Sequence, residues 1–260
     1  MDIVHVIFRW IHILMGIMWI GLLYFFNFVN GPFAATMDGE TKKKVVPELM
    51  PRALYWFRWG AAWTWFSGLI LLALVFYHSK TVFDDPTTPW SIGVWVMLAV
   101  TFLAVFLYDA LAKSGLGKNP KVFGSVAFVC AAIITVLFAK WAGFGWRGFN
   151  IHVGAMFGTT MAFNVWYRIW PAQQKIIRAV KEGAAPDPAL VAMAGSRSRH
   201  NTYMSIPLFW TMMNQHTIGF AGGAYGIPDS LGWLVLLVAI LLGWHIAFQF
   251  YKMAAKVKGF

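Results

Sequence analysis

Seven long runs of apolar residues alternate along the chain with short polar segments rich in Gly, Pro, Lys and Asp. Each run is long enough to form a helix across the hydrocarbon core of a bilayer, which takes about 20 residues. The predicted spans are residues 3–29, 54–78, 91–112, 121–141, 148–170, 200–220 and 231–253. The pattern predicts an all-α integral membrane protein, a bundle of about seven transmembrane helices in a single transmembrane domain over residues 1–260.

The composition agrees with a lipid environment. Hydrophobic residues make up 59% of the chain and charged residues only 12%, whereas a soluble domain carries about a quarter charged residues. The net charge of +11 does not indicate a nucleic-acid partner, because the basic residues lie in loops between apolar runs. The single cysteine, Cys130, excludes a disulfide framework and a CxxCH attachment site for c-type haem within this sequence.

The loop charges predict an orientation. Placing the N-terminus outside leaves 17 of the 21 Lys and Arg residues on the inner side, and cytoplasmic loops are the ones that accumulate such residues. The outer side keeps Arg9, Lys80, Lys140 and Arg147. We therefore expect a multi-pass protein of the inner (cytoplasmic) membrane with its C-terminus in the cytoplasm.

The loop at about 171–195 has a helical pattern of its own. Residues 172–182 combine basic residues with Ile176, Ile177 and Val180 on one face, which predicts an amphipathic helix along the inner membrane surface. Asp187-Pro188 is a helix-start signal, and a short second helix is expected to follow it.

Histidines are the main candidate chemistry, because an ionisable group inside lipid is costly and needs a reason. Neutral imidazole is a good axial ligand for haem iron, and two facing helices can supply two of them. The candidate haem ligands are His12, His152, His216 and His245. His5, Arg9 and His12 share one helix face, so Arg9 is a candidate partner for a haem propionate. The histidines predict one or two b-type haems.

Simpler interpretations stay open for these residues. A membrane histidine often serves as an interhelical hydrogen bond, and His5 and His78 are interpreted as interface residues. An arginine near a helix end, such as Arg9, can extend its head to the surface. The Gly154 and Gly158 pair is either a seat for haem or a helix-packing notch.

The segment RSRHNTY at 197–203 is a second candidate site. Arginine supplies a planar donor fork, and histidine and asparagine add further hydrogen-bonding groups. A site for an anionic or polar planar ligand is therefore predicted at Arg199, His200, Asn201 and Tyr203. The alternative is positive-inside charge next to an aromatic membrane anchor.

Four parts of the sequence resemble a known family and occur in the same order as in that family. They are RWIHILMGIMWIGLLYFFNF at 9–28, WFRWGAAWTWFSG at 56–68, NIHVGAMFGTTMAFNVW at 150–166, and APDPAL followed by RSRHNTYMSIPLFWTMMNQH within 185–216. Together they resemble the membrane domain of the bacterial membrane-bound urate oxidase (urate hydroxylase) family. They cover almost the whole chain.

The resemblance implies a multi-helix membrane domain that, in full-length members, is fused to a C-terminal cytochrome c domain outside the membrane. It implies oxidation of urate to 5-hydroxyisourate with electrons passed to the cytochrome. The family histidines correspond to His12, His152, His200 and His216, and less clearly to His245. The sequence has no eighth span and no CxxCH, so we expect the cytochrome c domain to be lacking. The chain is then either a shortened paralogue that needs a separate acceptor or a subunit of a larger complex that has kept the haem scaffold and lost urate chemistry.

Three functional hypotheses follow. The first is a haem-b-binding membrane redox protein of urate oxidase type, an enzyme of purine degradation that passes electrons to a periplasmic cytochrome c or a partner subunit. The second is a non-enzymatic haem-b anchor and electron-relay subunit of a larger respiratory complex, with quinone as a partner. The third and weakest is a metal or small-solute transporter.

Overall fold

The structure, a computed structural model, describes residues 2–217, 219 and 226–258, and most of them are helical. These residues contain no β-strand, so the all-α prediction is confirmed for them. They form nine α-helices: α1 (Asp2–Tyr24), α2 (Gly31–Thr36), α3 (Gly39–Leu71), α4 (Ile92–Lys113), α5 (Pro120–Val136), α6 (Trp146–Phe163), α7 (Trp170–Lys181), α8 (Pro188–Met213) and α9 (Gly232–Ala254).

Four of these helices continue into a π-helical turn. The turns are Phe25–Asn30 after α1, Leu72–His78 after α3, Leu137–Trp141 after α5 and Asn164–Ile169 after α6. The first turn runs directly into α2, so α1 and α2 form one helical stretch. A π turn changes which side chains share a face, and such turns are frequent at functional sites.

Five helical stretches are long and apolar enough to cross a membrane: Ile3–Thr36, Gly39–His78, Ile92–Lys113, Pro120–Trp141 and Gly232–Ala254. Each overlaps a predicted span. Many of their large apolar side chains are exposed, including Ile3, Trp10 and Ile17 on α1. Water would not stabilise so large an apolar surface, which fits a membrane protein. The count of seven spans, the orientation and the location in an inner membrane stay predictions.

The two other predicted spans form helices of a different character. α6 and its π turn cover residues 146–169, and most of their side chains are buried. α8 carries buried polar residues, among them Arg197 and Asn201. A helix that faces protein rather than lipid does not need an apolar surface on every side, which fits the buried polar residues of these two helices.

α3 begins at Gly39, well before the span predicted at 54–78. The predicted span lies within this helix, and the sequence did not predict the earlier turns, which are strongly charged and contain Pro47 and Pro51. Asp38 caps the helix by accepting hydrogen bonds of 2.8 Å from the backbone N–H and from the hydroxyl of Thr41. These hydrogen bonds lower the pKa of Asp38.

α7 confirms the helix predicted at 172–182. It begins at Trp170, with Pro171 in its first turn, and ends with Arg178 and Lys181 in its last turn. α8 begins at Pro188, where the Asp187-Pro188 signal predicts a start, but it is not short: it continues to Met213 and includes most of the predicted sixth span. The position of α7 on the inner membrane surface stays a prediction.

The chain forms two compact units. The first unit comprises Met1–Ile70, Met161–Ser205 and Trp244–Phe260. Within it α1 packs closely on α3 at Gly60, where a β-carbon would lie 3.2 Å from the backbone nitrogen of Trp19 and 3.3 Å from the carbonyl oxygen of Met15. This small residue lets the two backbones approach and sets α1 in register against α3.

The second unit comprises Leu71–Thr160 and Ile206–Gly243. Here α6 packs on α8 at Gly154, where a β-carbon would collide with the side chain of Thr211. Gly158 has more room, with Leu208 as its neighbour 4.0 Å away. Of the two predicted roles of this glycine pair, Gly154 therefore fits the helix-packing notch.

Candidate functional site

His12 lies half-buried on α1 in the first unit and is held by α3. Its Nδ1 lies 2.9 Å from the carbonyl oxygen of Thr64 and 3.2 Å from the hydroxyl oxygen of Ser67. A carbonyl oxygen only accepts, so Nδ1 carries the proton and Nε2 keeps a lone pair. Gly68 leaves room for the ring, since a β-carbon there would lie 3.1 Å from Cε1. This arrangement orients an imidazole for metal ligation.

Arg9 and His5, one and two turns earlier on the exposed part of α1, interact with each other. Arg9 Nη2 donates to His5 Nε2 at 2.9 Å. Arg9 is exposed, so its guanidinium remains accessible to an anion. The predicted shared face of His5, Arg9 and His12 thus contains an Arg9–His5 pair and a separately anchored His12.

His152 lies fully buried on α6 in the second unit. Its Nδ1 donates to the carbonyl oxygen of Gly148 at 2.7 Å, one helical turn earlier, which again leaves the lone pair on Nε2. Tyr77 donates its hydroxyl hydrogen to this Nε2 at 3.1 Å. The rings of Tyr77, Phe138 and Phe144 surround the imidazole, with centroids at 5.7, 5.6 and 4.7 Å.

Sequence reasoning missed Tyr77 as the partner of His152. It lies in the π turn after α3, beside His78. A tyrosine at the end of a predicted span is typical of the membrane–water interface. Nothing in the one-dimensional pattern pairs it with α6. The only signal was the cost of burying the second imidazole nitrogen, which requires some partner.

His216 and His245 have more open surroundings. His216 ends the short 3₁₀ turn Asn214–His216 that follows α8 and is exposed. The turn is fixed to the start of α6, since Trp146 Nε1 donates to Asn214 O and Arg147 Nε donates to Gln215 O, both at 3.2 Å. His245 is exposed on α9 and forms a 3.1 Å hydrogen bond with Gln249.

The predicted site at Arg199, His200, Asn201 and Tyr203 divides over different faces of α8. Asn201 is fully buried and points to the end of α6: its amide nitrogen donates to Met161 O at 3.0 Å, and its amide oxygen accepts from Asn164 at 2.8 Å. His200 lies 3.4 Å from the hydroxyl of Ser196 on its own helix. The geometry indicates that Asn201 joins α8 to the end of α6 by hydrogen bonds.

Arg199 and Tyr203 lie one turn apart and meet a residue that sequence reasoning missed, Tyr251 of α9. The Tyr203 and Tyr251 rings are nearly parallel, at 17° and 5.9 Å between centroids. The guanidinium carbon of Arg199 lies 5.0 Å from the centroid of the Tyr251 ring. An exposed cation beside two aromatic faces is suited to a planar anion.

A network of hydrogen bonds holds the Tyr251 ring of this aromatic pair in place. Tyr251 donates its hydroxyl hydrogen to Asn27 at 2.8 Å, and Asn27 donates its amide hydrogens to Leu23 O and the Ser198 hydroxyl, both at 2.8 Å. Next to it, Tyr24 and Ser205 share a 2.9 Å hydrogen bond. Asn27 lies in the π turn after α1. No pattern in the sequence identified it as part of a site.

The two histidines with a carbonyl-held Nδ1 fit the donor set that haem needs, since each presents a neutral Nε2. His12 fits without rearrangement of its hydrogen bonds. His152 fits once Tyr77 releases Nε2. Among the described residues no three His, Cys, Asp or Glu side chains gather in a metal-binding group, and an axial ligand of haem need not belong to such a group.

A comparison with known proteins adds a family. The family model described as urate oxidase N-terminal matches residues 37–259. No curated protein and no solved structure matches the chain significantly.

Proposed function

Because the chain belongs to the urate oxidase N-terminal family, we propose that it is a membrane redox protein that binds b-type haem and takes part in urate oxidation. Electrons leave it on the outer side to a periplasmic cytochrome c or a partner subunit. The family match over residues 37–259 carries the proposal. The long apolar helices support a position in the membrane.

Haem supplies reversible one-electron chemistry when it is bound. His12, in the first unit, and His152, in the second unit, are each a candidate axial ligand. The Thr64 and Gly148 carbonyl oxygens fix the tautomer of each ring, and burial of each ring among helices limits access of water. Such outer hydrogen bonds orient a ligating imidazole and raise its basicity. His216 and His245 remain candidates for a second haem, and Arg9 for a propionate.

Arg199, Tyr203 and Tyr251 are proposed to hold the substrate on the cytoplasmic side. Their combination of a guanidinium and two parallel rings suits a planar purine anion. His200 is on the same helix and supplies a further hydrogen-bonding group. The Asn27 amide positions Tyr251 through its hydroxyl.

The test is the reduced-minus-oxidised visible spectrum of the detergent-purified protein, with haem quantified per chain, before and after adding urate. We expect a b-type alpha band that urate reduces. A b-type band that urate leaves oxidised makes the chain a relay subunit of a larger complex. A protein without haem overturns the proposal.

Three variants distinguish the candidate haem ligands from a histidine that is not expected to bind haem. His12→Ala and His152→Ala are expected to lose haem or to change its spectrum, because each removes a held Nε2. His78→Ala is the control: His78 is exposed at the end of its π turn and is expected to leave haem content unchanged. Equal haem loss in all three variants would contradict the assignment of ligands.

A further inference from the structure

The first unit has an open groove between α1 and α3. Its volume is about 290 Å³, and its lining is apolar and aromatic: Met15, Met18, Tyr55, Trp56, Trp59, Gly60 and Trp63. The aromatic side chains that line it are all exposed by more than a third, from 40% for Trp59 to 54% for Trp56. Both helices belong to stretches apolar enough to cross a membrane, so the groove opens toward the hydrocarbon phase.

Arg58 lies on α3 beside this groove, in an aromatic cage. Its guanidinium carbon is 4.1 Å from the centroid of the Trp170 ring, 5.6 Å from Trp166 and 5.8 Å from Tyr55. Trp166 also donates its indole N–H to the carbonyl oxygen of Arg58 at 3.0 Å. The guanidinium is therefore held in one place by stacking rather than by a counter-ion.

The charge of Arg58 is not neutralised within the part of the chain that the structure describes. The ion pairs there are Arg52 with Glu48 and Lys113 with Asp109, and neither involves Arg58. Its Nε is buried and has no hydrogen-bond partner among the described residues. A fixed, partly buried cation without a carboxylate attracts an anion strongly, because little solvent screens it.

Residues that line the groove also contact Arg58 or its aromatic neighbours. Tyr55 lines the groove and contacts Arg58, and Trp59 lines the groove while packing edge-on against Trp166 at 5.5 Å. A ligand that occupies both must have an apolar body and an anionic head a short distance away. That is the chemistry of an amphiphile at a membrane interface.

We propose that an anionic phospholipid binds at this place, with an acyl chain in the groove and its phosphate at Arg58. A guanidinium fork matches phosphate oxygens bidentately. Basic positions between membrane helices on the cytoplasmic side bind lipid head groups. The loop charges predict that side for Arg58, and tryptophans are typical of the interface.

The experiment labels the lipid in place. The protein is reconstituted in phosphatidylcholine nanodiscs with traces of a phosphatidylglycerol or a phosphatidylcholine that carries a photoreactive acyl chain, and the labelled peptides are mapped. We expect the phosphatidylglycerol probe to label the peptides around Met15–Met18 and Tyr55–Trp63, and the phosphatidylcholine probe to label them less. Equal labelling by both probes, or labelling elsewhere, overturns the proposal.

Two arginine variants form the matched test. Arg58→Gln is expected to lower labelling by phosphatidylglycerol about tenfold, the loss that follows from removing a hydrogen-bonded charge. Arg52→Gln lies on the same helix but removes an arginine already paired with Glu48 at 2.7 Å, so labelling should not change. For each variant, labelling by the phosphatidylglycerol probe is divided by labelling by the phosphatidylcholine probe. A general loss of stability lowers both and leaves this ratio unchanged. A tenfold loss in both variants, or in neither, contradicts the site.

Competition identifies the occupant. Excess unlabelled phosphatidylglycerol should displace the probe, whereas inorganic phosphate or urate should not, because neither fills the apolar groove. Displacement by urate would make the groove a substrate subsite and overturn the lipid assignment. Displacement by inorganic phosphate would reduce the site to a simple anion site and would overturn it as well.

Discussion

Single hydrogen bonds decide what each histidine of this protein can do. An Nδ1 that donates to a carbonyl oxygen fixes the neutral tautomer and leaves the Nε2 lone pair for another partner. His12 and His152 have this arrangement. His245 instead has its Nε2 beside Gln249 on an exposed helix face. The chemical difference between these imidazoles comes from their neighbours and not from their own positions in a span.

Gly68 controls the room available to the His12 ring. We expect Gly68→Ala to push the ring by a few tenths of an ångström, since the new β-carbon would lie 3.1 Å from Cε1, and thereby to lower haem content or shift the haem spectrum. Haem per chain and the visible spectrum measure this. Gly21→Ala is the control, because a β-carbon there meets nothing within 4 Å. A Gly68→Ala protein with the wild-type spectrum would argue against His12 as a ligand.

Tyr77 satisfies the second nitrogen of the buried His152. Tyr77→Phe is expected to lower the free energy of unfolding of the haem-free protein by about 1–3 kcal/mol, the cost of leaving a buried acceptor without a partner. Denaturation in detergent, followed by circular dichroism, measures it. Tyr167→Phe is the control, because Tyr167 is 66% exposed. An unchanged stability would mean that Nε2 has a different partner.

At the scale of helices, buried amides join α8 to the end of α6. Asn164 donates to Asn201, and Asn201 donates to Met161 O. Polar side chains that bridge helices in this way hold the register of a membrane bundle. The RSRHNTY segment therefore combines two tasks: one face of the helix fixes packing, while Arg199 and Tyr203 on another face remain accessible.

This division predicts different outcomes for neighbouring residues. Asn201→Ala should reduce the free energy of unfolding by about 2–4 kcal/mol, because two buried partners lose a hydrogen bond, with little change in the KM for urate of the protein that remains folded. Arg199→Gln should raise that KM and leave stability nearly unchanged. Val191→Ala, at an exposed position of the same helix, is the control for both. A raised KM in Asn201→Ala at normal stability would return Asn201 to the substrate site.

At the scale of the whole molecule, the large exposed apolar surface is consistent with a lipid environment. Exposed Ile, Leu, Trp and Phe side chains run along α1, α4 and α9. They do not reveal which end of each helix faces the cytoplasm. Orientation rests on the distribution of Lys and Arg, which is a property of insertion and not of packing.

Cysteine labelling tests the orientation directly. After Cys130→Ala removes the single cysteine, new cysteines at Lys43 and Arg178 should be protected from a membrane-impermeant maleimide in intact spheroplasts, whereas Lys80→Cys and Asp85→Cys should react. Permeabilised cells provide the control, because all four positions should then react. The reverse pattern would invert the topology.

Much of the architecture follows from the sequence. Apolar runs predict where five apolar helical stretches lie, and the basic amphipathic pattern and the Asp187-Pro188 signal predict α7 and the start of α8. Such local patterns suffice because helical hydrogen bonds form between residues close in sequence and lipid selects apolar surfaces along the whole span. The start of α3 was not predicted, since Pro47 and Pro51 argue against a helix at these positions.

Only the tertiary structure decided which polar residues meet. Tyr77 with His152, Tyr251 with Asn27, and Arg58 with Trp166 are each separated by more than a helix in the sequence. No local period connects them, because a contact between helices depends on the rotation and depth of both. The sequence thus determined the helices and the residue types available for chemistry. Packing determined which histidines are anchored, which asparagine is structural, and which arginine lies among aromatic rings with no carboxylate partner in the described part of the chain.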